Sequence, residues 1–117
     1  MPAVSVGRWA GAETGEATAV VAGRVSTARA AAAARWAGAA RANGHVPGPL
    51  LRHPRFRPPA RVLAPLVKGV DRGTLTARGF DRTLRVAWTL ADLAGRTSPG
   101  ELEVAEALSF RTLAVAA

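Results

Sequence analysis

Residues 76–95, TARGFDRTLRVAWTLADLAG, carry the strongest helical pattern in the chain. At 100° per residue the apolar and charged side chains of this stretch separate onto opposite arcs of a helix. The apolar arc holds Phe80, Leu84, Ala87, Trp88, Leu90, Ala91 and Ala94, and the polar arc holds Arg78, Asp81, Arg82, Arg85 and Asp92. Thr76 suits the N-cap and Gly95 the C-terminal stop. The pattern predicts an amphipathic helix whose arginines face away from the core.

Two further helices are predicted before this one. The segment from about 17 to 42 is rich in alanine and favours a long helix that ends before Gly44, with Arg24 and Arg35 on a separate face. Its inward stripe is predicted to be Val21, Val25, Ala28 and Ala32. A shorter helix is predicted from about 60 to 72, with Leu63, Leu66, Val67 and Val70 inward. Pro65 falls inside this helix, and it would cost no intrahelical hydrogen bond only if the helix starts later, so that Pro65 lies in the first turn.

A last helix is predicted to begin at Ser98-Pro99-Gly100-Glu101. Here Ser98 would be the cap and Glu101 the other half of a capping box. The residues predicted to point inward are Leu102, Ala105 and Leu108. Because no window alternates apolar and polar residues with period 2, we expect an all-α protein that forms a small helical bundle. Three segments are predicted: an irregular lead-in over 1–16, the long helix with a Pro-rich linker over 17–59, and the helical bundle over 60–117.

Composition narrows the function classes. The 117 residues carry a formal charge of +8, and fifteen of the sixteen basic residues are arginine, which together with the Ala, Gly and Pro content suggests codon bias in a GC-rich genome. The charge favours nucleic acid, nucleotide phosphates or an anionic surface as partner. There is no cysteine, which excludes disulfides and thiol chemistry. No stretch has the length of a membrane span, so we expect a cytoplasmic protein without a membrane partner.

Catalytic signatures are absent from the sequence. The sole lysine, Lys68, is followed by Gly69 and Val70, so no GxxxxGK[ST] loop exists to cradle phosphates. A GxSxG elbow for a nucleophilic serine is also missing. His45 and His53 lie in the Pro-rich segment without a third ligand nearby, so no metal site is expected. We therefore expect no catalysis by this chain alone and no cofactor held by it.

Two groups of arginines are candidate phosphate contacts. The first, the helix stripe, is Arg78, Arg82 and Arg85, whose spacing of four and three places three guanidinium groups on one narrow arc. Ion pairs between Asp81 and its helical neighbours Arg78 and Arg85 would also explain this pattern, as an ordinary solvated face. The second, the loop patch, is Arg52, Arg55, Arg57 and Arg61, which would contact a nucleic-acid backbone or simply form a solvated linker.

Aromatic residues do not reinforce either group. Trp9, Trp36 and Trp88 have the chemistry to stack on bases, but none lies within a basic cluster. Trp88 belongs to the apolar arc and is expected in the core.

The run Thr76 to Gly95, followed by Val104-Ala-Glu-Ala-Leu-Ser-Phe-Arg111, resembles the C-terminal domain of ComM-type, magnesium-chelatase-related AAA+ ATPases. The resemblance extends upstream through Asn43, Pro47 to Arg52 and the Ala-rich helix, and covers about four-fifths of the chain. It implies that 60–117 is a helical lid that packs on an ATPase core. In this family the core assembles as a ring, usually a hexamer, uses ATP and Mg, and translocates on DNA during recombination and transformation.

The resemblance also implies roles for two arginines of the helix stripe. Arg78 matches the arginine that senses nucleotide from the lid, and Arg85 matches a second recurring arginine. Trp88 departs from the pattern, because many relatives carry arginine there. The Walker motifs of the core are absent from this sequence, so any nucleotide that Arg78 senses would be held by another chain or by a longer form of this one.

Three hypotheses follow from the sequence. The leading one is a non-catalytic lid fragment of a ComM-type ATPase, whose partner is an AAA+ core. The second is an autonomous basic DNA-binding module that uses the loop patch and the helix stripe. The third is a truncated gene product without function.

Overall fold

The computed structural model describes the backbone of residues 3–116 and the side chains of residues 17–111. The described chain folds into five α-helices and one 3-10 turn. They are α1 (Ala3–Trp36), the 3-10 turn Asn43–His45, α2 (Gly48–Leu51), α3 (Ala60–Asp71), α4 (Ala77–Leu93) and α5 (Glu101–Ala116). No strand occurs within this range, which confirms the all-α class. In the same range no helix has the length and apolar character needed to cross a bilayer.

Helix α1 is longer at its start and shorter at its end than the pattern predicts. It begins at Ala3, so the irregular lead-in is wrong for residues 3–16, and residues 1 and 2 lie outside the described part. It ends at Trp36 because Ala37 and Gly38 take left-handed backbone conformations, with φ of +46° and +90°. Alanine propensity favours continuation, but the turn brings Asn43 back against the buried end of α1. The tertiary contact overrides the local preference.

Only the C-terminal half of the described α1 side chains packs inward. Ala28, Ala32 and Trp36 are buried, whereas Val21, which was predicted to face the core, is exposed. The Pro-rich segment that follows is not wholly irregular, because it contains the 3-10 turn and the single turn of α2. A proline at the second position of α2 explains why that turn forms there, since its fixed φ suits a helix start.

Helix α3 has nearly the predicted bounds but a rotated buried face. Val62, Leu63 and Leu66 are buried, while Val67 and Val70 are 42% and 38% exposed and do not face the core. The helix packs on α5 and α4 through its Val62 side. Pro65 is the sixth residue of the helix rather than part of its first turn, so the carbonyl of Arg61 loses an i+4 hydrogen bond.

Helix α4 forms as the quoted stretch predicts. The Thr76 hydroxyl oxygen accepts a hydrogen bond from the Gly79 N–H at 3.0 Å, and Gly95 has a left-handed φ of +73° just past the end. The predicted core positions Leu84, Ala87, Trp88 and Ala91 are buried, whereas Phe80 and Leu90 are half-buried and Ala94 is exposed. Asp92 was predicted on the polar arc and is buried instead. Its partners account for this exception.

Helix α5 begins two residues later than predicted, at Glu101 rather than at Pro99. The Gly100 N–H donates to Glu103 Oε1 at 2.8 Å, so the cap uses Gly100 and Glu103 rather than Ser98 and Glu101. This shift also changes the buried face, and Val104 and Ala107 face the core. Leu102 and Ala105 are exposed, contrary to prediction, and Leu108 is partly buried against the core.

One hydrophobic core joins α1, the segment between α1 and α3 (residues 37–59, called the loop below) and the bundle of α3, α4 and α5. Trp36 packs edge-on against Trp88, with ring centroids 5.7 Å apart, and against Phe56 at 4.7 Å. The buried residues of this core are Ala32, Trp36, Ala40, Val46, Leu51, Val62, Leu63, Leu66, Leu75, Leu84, Ala87, Trp88, Val104 and Ala107. The loop therefore contributes to the core and has a fixed position over α4.

A buried polar cluster, the Arg35 network, ties α1 to the loop and to α4. The Arg35 guanidinium donates to both carboxylate oxygens of Asp92, and Nη1 also donates to Asn43 Oδ1 at 3.2 Å. Asn43 Nδ2 donates to Asp92 Oδ2 at 2.8 Å and to Thr89 Oγ1 at 3.2 Å. The indole N–H of Trp36 donates to Asn43 Oδ1 at 2.9 Å. Oδ1 and Nδ2 of Asn43 therefore each have two hydrogen-bond partners.

The Arg35 guanidinium also lies over the ring of Trp88, with Cζ 4.1 Å from the ring centroid. The Asp92 side chain is only 1% exposed and the Arg35 side chain 12%. A carboxylate at this depth is tolerated only because its charge and lone pairs are matched by Arg35 and Asn43. Removing one partner would leave a buried charge without compensation.

We predict that Asp92→Ala lowers the free energy of unfolding by about 3 kcal/mol, because it leaves the largely buried Arg35 guanidinium without its carboxylate and removes one acceptor of Asn43 Nδ2. Asp71→Ala, which removes an exposed carboxylate at the end of α3, is the matched control and should change stability by less than about 0.5 kcal/mol. Urea denaturation followed by circular dichroism measures both. Equal stability of the two variants would contradict the structural role of the network.

Candidate functional site

The loop before α3 lies across the polar arc of α4. Arg85 Nε and Nη2 donate to the Val46 carbonyl oxygen at 3.0 and 2.8 Å. One α-turn earlier in α4, Asp81 forms an ion pair with Arg52 of the loop. The structure therefore brings one member of the loop patch into contact with α4, although Arg52 and Asp81 are 29 residues apart in sequence.

Gly48 permits this close approach. A Cβ atom placed on Gly48 would lie 2.9 Å from Arg52 Nη1 and 2.9 Å from Asp81 Oδ2, which is closer than real Cβ contacts allow. The absence of a side chain at Gly48 is thus a steric requirement of the Arg52–Asp81 pair. The sequence shows only a glycine between two prolines, which is equally typical of an ordinary turn.

The members of the helix stripe have different surroundings. Arg85 is partly buried, and two of its donors are used by the Val46 carbonyl, so its first role is to hold the loop. Arg78 and Arg82 are exposed, and their side chains make no hydrogen bond or ion pair with the described residues. The intrahelical pairs predicted for Asp81 do not form, because Arg52 takes that carboxylate. Arg78 and Arg82 remain available to a partner.

The remaining members of the loop patch are open to solvent. Arg55 lies over the ring of Phe56 at 5.3 Å, and Arg57 is exposed with no ion pair to the described residues. Arg61 reaches Glu101 at 3.9 Å, but these side chains are 75% and 68% exposed, so the pair contributes little to stability. The loop patch is therefore split between Arg52, which is held on α4 by its ion pair, and three arginines that face outward, of which only Arg61 has an ion pair and that one is exposed.

His45 and His53 do not lie together with a third metal-ligating side chain among the described residues. His53 Nδ1 accepts a hydrogen bond from the Arg55 backbone N–H at 3.1 Å, and His45 is exposed in the 3-10 turn. Among the described side chains, no three histidines or carboxylates come close enough to hold a metal ion.

The tryptophans are not available as base-stacking platforms where they are described. Trp36 and Trp88 are 2% and 3% exposed, and both lie in the core. The Trp88 indole N–H has no hydrogen-bond acceptor within the described residues. Trp9 lies outside the residues whose side chains are described.

A family model for the C-terminal domain of magnesium chelatase subunit ChlI matches residues 15–111. This match covers most of the chain, including the Arg35 network and all helices from the second half of α1 onward. The chain belongs to this family. The expected relationship to magnesium-chelatase-related proteins is thereby confirmed.

Three uncharacterized mycobacterial proteins are similar to the chain, one from Mycobacterium bovis and two from strains of Mycobacterium tuberculosis. Each is 59% identical over 101 residues, which is 86% of this chain and 20% of the relative. The chain therefore spans about a fifth of the length of these relatives. No solved structure matches the chain.

The residues of this chain do not fit a complete site for ATP and magnesium. The phosphate-cradling loop is absent from the sequence, and no cluster of metal-ligating side chains occurs in the described part. What the chain offers to a nucleotide is cationic: Arg78 one residue into α4, and Arg82 one turn later. Such groups bind phosphate oxygens but do not supply the metal or a nucleophile.

Sequence reasoning missed the residues that position the site. Arg35 and Asp92 are 57 positions apart, and no periodic signal connects them. The Arg52–Asp81 pair and its dependence on Gly48 are equally nonlocal. The one available signal was Asn43, which belongs to the stretch that carries the family resemblance and proves to be the hydrogen-bonding centre of the network.

We predict that Gly48→Ala lowers the free energy of unfolding by up to about 1 kcal/mol, because the added methyl group displaces the ends of the Arg52 and Asp81 side chains and weakens their half-exposed ion pair. Gly44→Ala is the control, since a Cβ at Gly44 meets no atom within 4 Å. Thermal denaturation of the two variants measures the difference. If Gly48→Ala is as stable as Gly44→Ala, the close packing of the loop on α4 is not a constraint.

Proposed function

We propose that this chain acts in the cytoplasm as the helical lid of a ComM-type, magnesium-chelatase-related AAA+ ATPase, without an ATP-binding core of its own. The membership in the ChlI C-terminal family carries this proposal. It is supported by the fraction of each relative that the chain spans, which leaves room in those proteins for further domains. The partner is an AAA+ core, and the assembly acts on DNA in recombination or transformation.

Arg78 is the residue of this lid that senses nucleotide. Its side chain is exposed at the first turn of α4 and has no competing carboxylate among the described residues. A guanidinium in this state can move onto a phosphate without breaking an existing ion pair. Arg85 acts differently in this account: it holds the loop through Val46 and so positions the polar arc of α4 on which Arg78 lies.

A chimera tests this role. The segment of the Mycobacterium tuberculosis relative that matches this chain is replaced by the chain itself, which 59% identity makes practicable. We expect the chimera to hydrolyse ATP and Arg78→Ala to lower the rate by about 100-fold, since removing one preorganised donor to transition-state charge costs about two orders of magnitude.

Arg41→Ala is the control in this experiment, because Arg41 is an exposed arginine with no contact to another side chain in the described residues. It should leave the hydrolysis rate unchanged. An Arg78→Ala chimera that hydrolyses ATP at the rate of the Arg41→Ala chimera would refute nucleotide sensing by Arg78.

A second candidate function is autonomous DNA binding. The observation in its favour is that four members of the loop patch and the helix stripe face outward and make no ion pair with the described residues: Arg55, Arg57, Arg78 and Arg82. With a net charge of +8, they suit contacts to backbone phosphates that do not depend on base sequence. Such binding requires no ATPase core.

Fluorescence anisotropy with short duplex DNA at two salt concentrations tests this candidate. We expect binding of the wild-type chain to weaken steeply with salt. The double variant Arg55→Ala/Arg57→Ala should bind more weakly, and its affinity should depend less on salt, by the amount that corresponds to about two lost phosphate contacts. Arg41→Ala again removes a charge elsewhere and serves as the comparison. Absence of binding at low salt would refute autonomous DNA binding and leave the role as an ATPase lid as the remaining candidate function.

A further inference from the structure

A cleft of about 360 Å³ lies where the loop, the outer face of α3 and the first turns of α4 meet. One wall is apolar and consists of Val67, Val70 and Phe80. Val67 and Val70 are the two α3 positions that the sequence assigned to the core and that the structure leaves exposed. The cleft is within the size range of small-ligand sites, about 300–1,000 Å³.

Most of the other residues that line the cleft are charged. Arg52 and Arg57 of the loop border it, together with Asp81 of α4. Arg57 has no ion pair with the described residues, so it offers its full guanidinium to an anion. Arg52 is half exposed and shares only Nη1 with Asp81.

Asp81 contributes an unmet acceptor. Its Oδ2 pairs with Arg52, but its Oδ1 is buried and accepts no hydrogen bond within the described residues. Because Oδ1 is covered, a ligand in the cleft meets this carboxylate at the 14% of the side chain that is exposed, and an N–H donor placed there would add a hydrogen bond to a carboxylate that has only one partner. Asp71 also borders the cleft, which disfavours a ligand that is purely anionic.

Three requirements therefore apply to the occupant: a flat apolar body for the Val67, Val70 and Phe80 wall, a donor for Asp81, and an anion for Arg57. We propose that the cleft binds one nucleoside phosphate unit, with its base on the apolar wall and its phosphate at Arg57. An exocyclic amino group of the base donates to the exposed part of the Asp81 carboxylate, as carboxylates accept from the cytosine amino group. This inference deepens the DNA-binding candidate and rests on it.

A strand of nucleic acid fits the surroundings of the cleft. Arg78 follows Ala77 and Arg82 follows Asp81 in α4, and both Ala77 and Asp81 line the cleft. The two exposed arginines thus flank the site and would meet the neighbouring phosphates of a strand. The net charge of +8 favours a polyanion over a zwitterionic ligand such as a peptide.

Single-stranded probes test the proposal by fluorescence anisotropy on the full chain. The probes are a short oligo(dC) strand, an oligo(dT) strand, whose base lacks an exocyclic amino group, and an abasic strand with the same number of phosphates. We expect oligo(dC) to bind about tenfold more tightly than the abasic strand, which corresponds to one stacked base, with oligo(dT) between them. Equal affinity for oligo(dC) and the abasic strand would overturn the proposal.

Two variants and a control locate the binding in the cleft. Val70→Glu places a charge on the apolar wall at an exposed helical position and should remove the preference for oligo(dC) over the abasic strand while the circular dichroism spectrum stays unchanged. Arg57→Ala should weaken binding of both strands, and Arg41→Ala should keep the full base preference. A Val70→Glu variant that retains the preference would also overturn the proposal.

Competition with free dCMP distinguishes the two sources of the ligand. If dCMP displaces oligo(dC) from the wild-type chain but not from Val70→Glu, the cleft holds a free nucleotide; if only strands compete, it holds a unit of a strand. Duplex DNA separates this inference from the function on which it rests. Duplex binding without a base preference in single strands would leave the DNA-binding candidate standing and remove only the cleft.

Discussion

The hydrogen-bonded ion pair between Arg35 and Asp92 is the interaction on which the arrangement of this domain depends. It joins the end of α1 to the end of α4, and Asn43 extends it to the loop by bonding to both residues. The guanidinium is covered by the ring of Trp88, so the pair lies at the boundary of the hydrophobic core rather than in water. Burial of the pair requires desolvation of both groups, and only the full set of partners offsets that cost. The network therefore specifies a single placement of α1 and the loop on α4, which apolar contacts among many small alanines would define less sharply.

The loop placement determines which arginines are free. Because Val46 is held by Arg85 and Arg52 by Asp81, the polar arc of α4 divides into a structural part and an open part. Arg78 and Arg82 belong to the open part, as do Arg55 and Arg57 in the loop. A basic composition alone does not make this distinction. Fifteen arginines look alike in the sequence, but the structure separates those of the loop patch and the helix stripe into members with an ion pair, a member bound to a carbonyl oxygen, and members open to solvent.

Sequence patterns predicted the elements better than the faces they bury. The helix over 77–93, its Thr76 cap and its Gly95 stop follow from local chemistry and were predicted correctly. The buried faces of α3 and α5 were wrong by about one position, because Val67, Val70 and Leu102 are apolar yet lie where no other described element covers them. Periodicity identifies an apolar side of a helix but does not say which part of it meets a partner. Burial of Asp92 was unpredictable for the related reason that its partner Arg35 is distant in sequence.

The sequence also predicted which arginines are candidates for the site, but it did not predict how they are paired. The residue types and the α4 spacing were sufficient to select the helix stripe and the loop patch. Their division into paired and unpaired members depends on loop contacts, and the cleft depends on the rotation of α3, neither of which has a local signature. Family resemblance supplied what physical reasoning on one sequence could not, namely that a helical module of this kind accompanies an ATPase core.

The start of α4 has an energetic consequence for the fold itself. Its first turn contains no acidic residue, and Arg78 places a positive charge without an ion-pair partner among the described residues near the end of the helix where the macrodipole is also positive. A cation in this position opposes the dipole by about 0.3–1 kcal/mol. An anion bound there would reverse the sign of that contribution, so that ligand binding and helix stability are thermodynamically linked. Any anion that binds at the first turn of α4 would therefore raise the melting temperature of the domain.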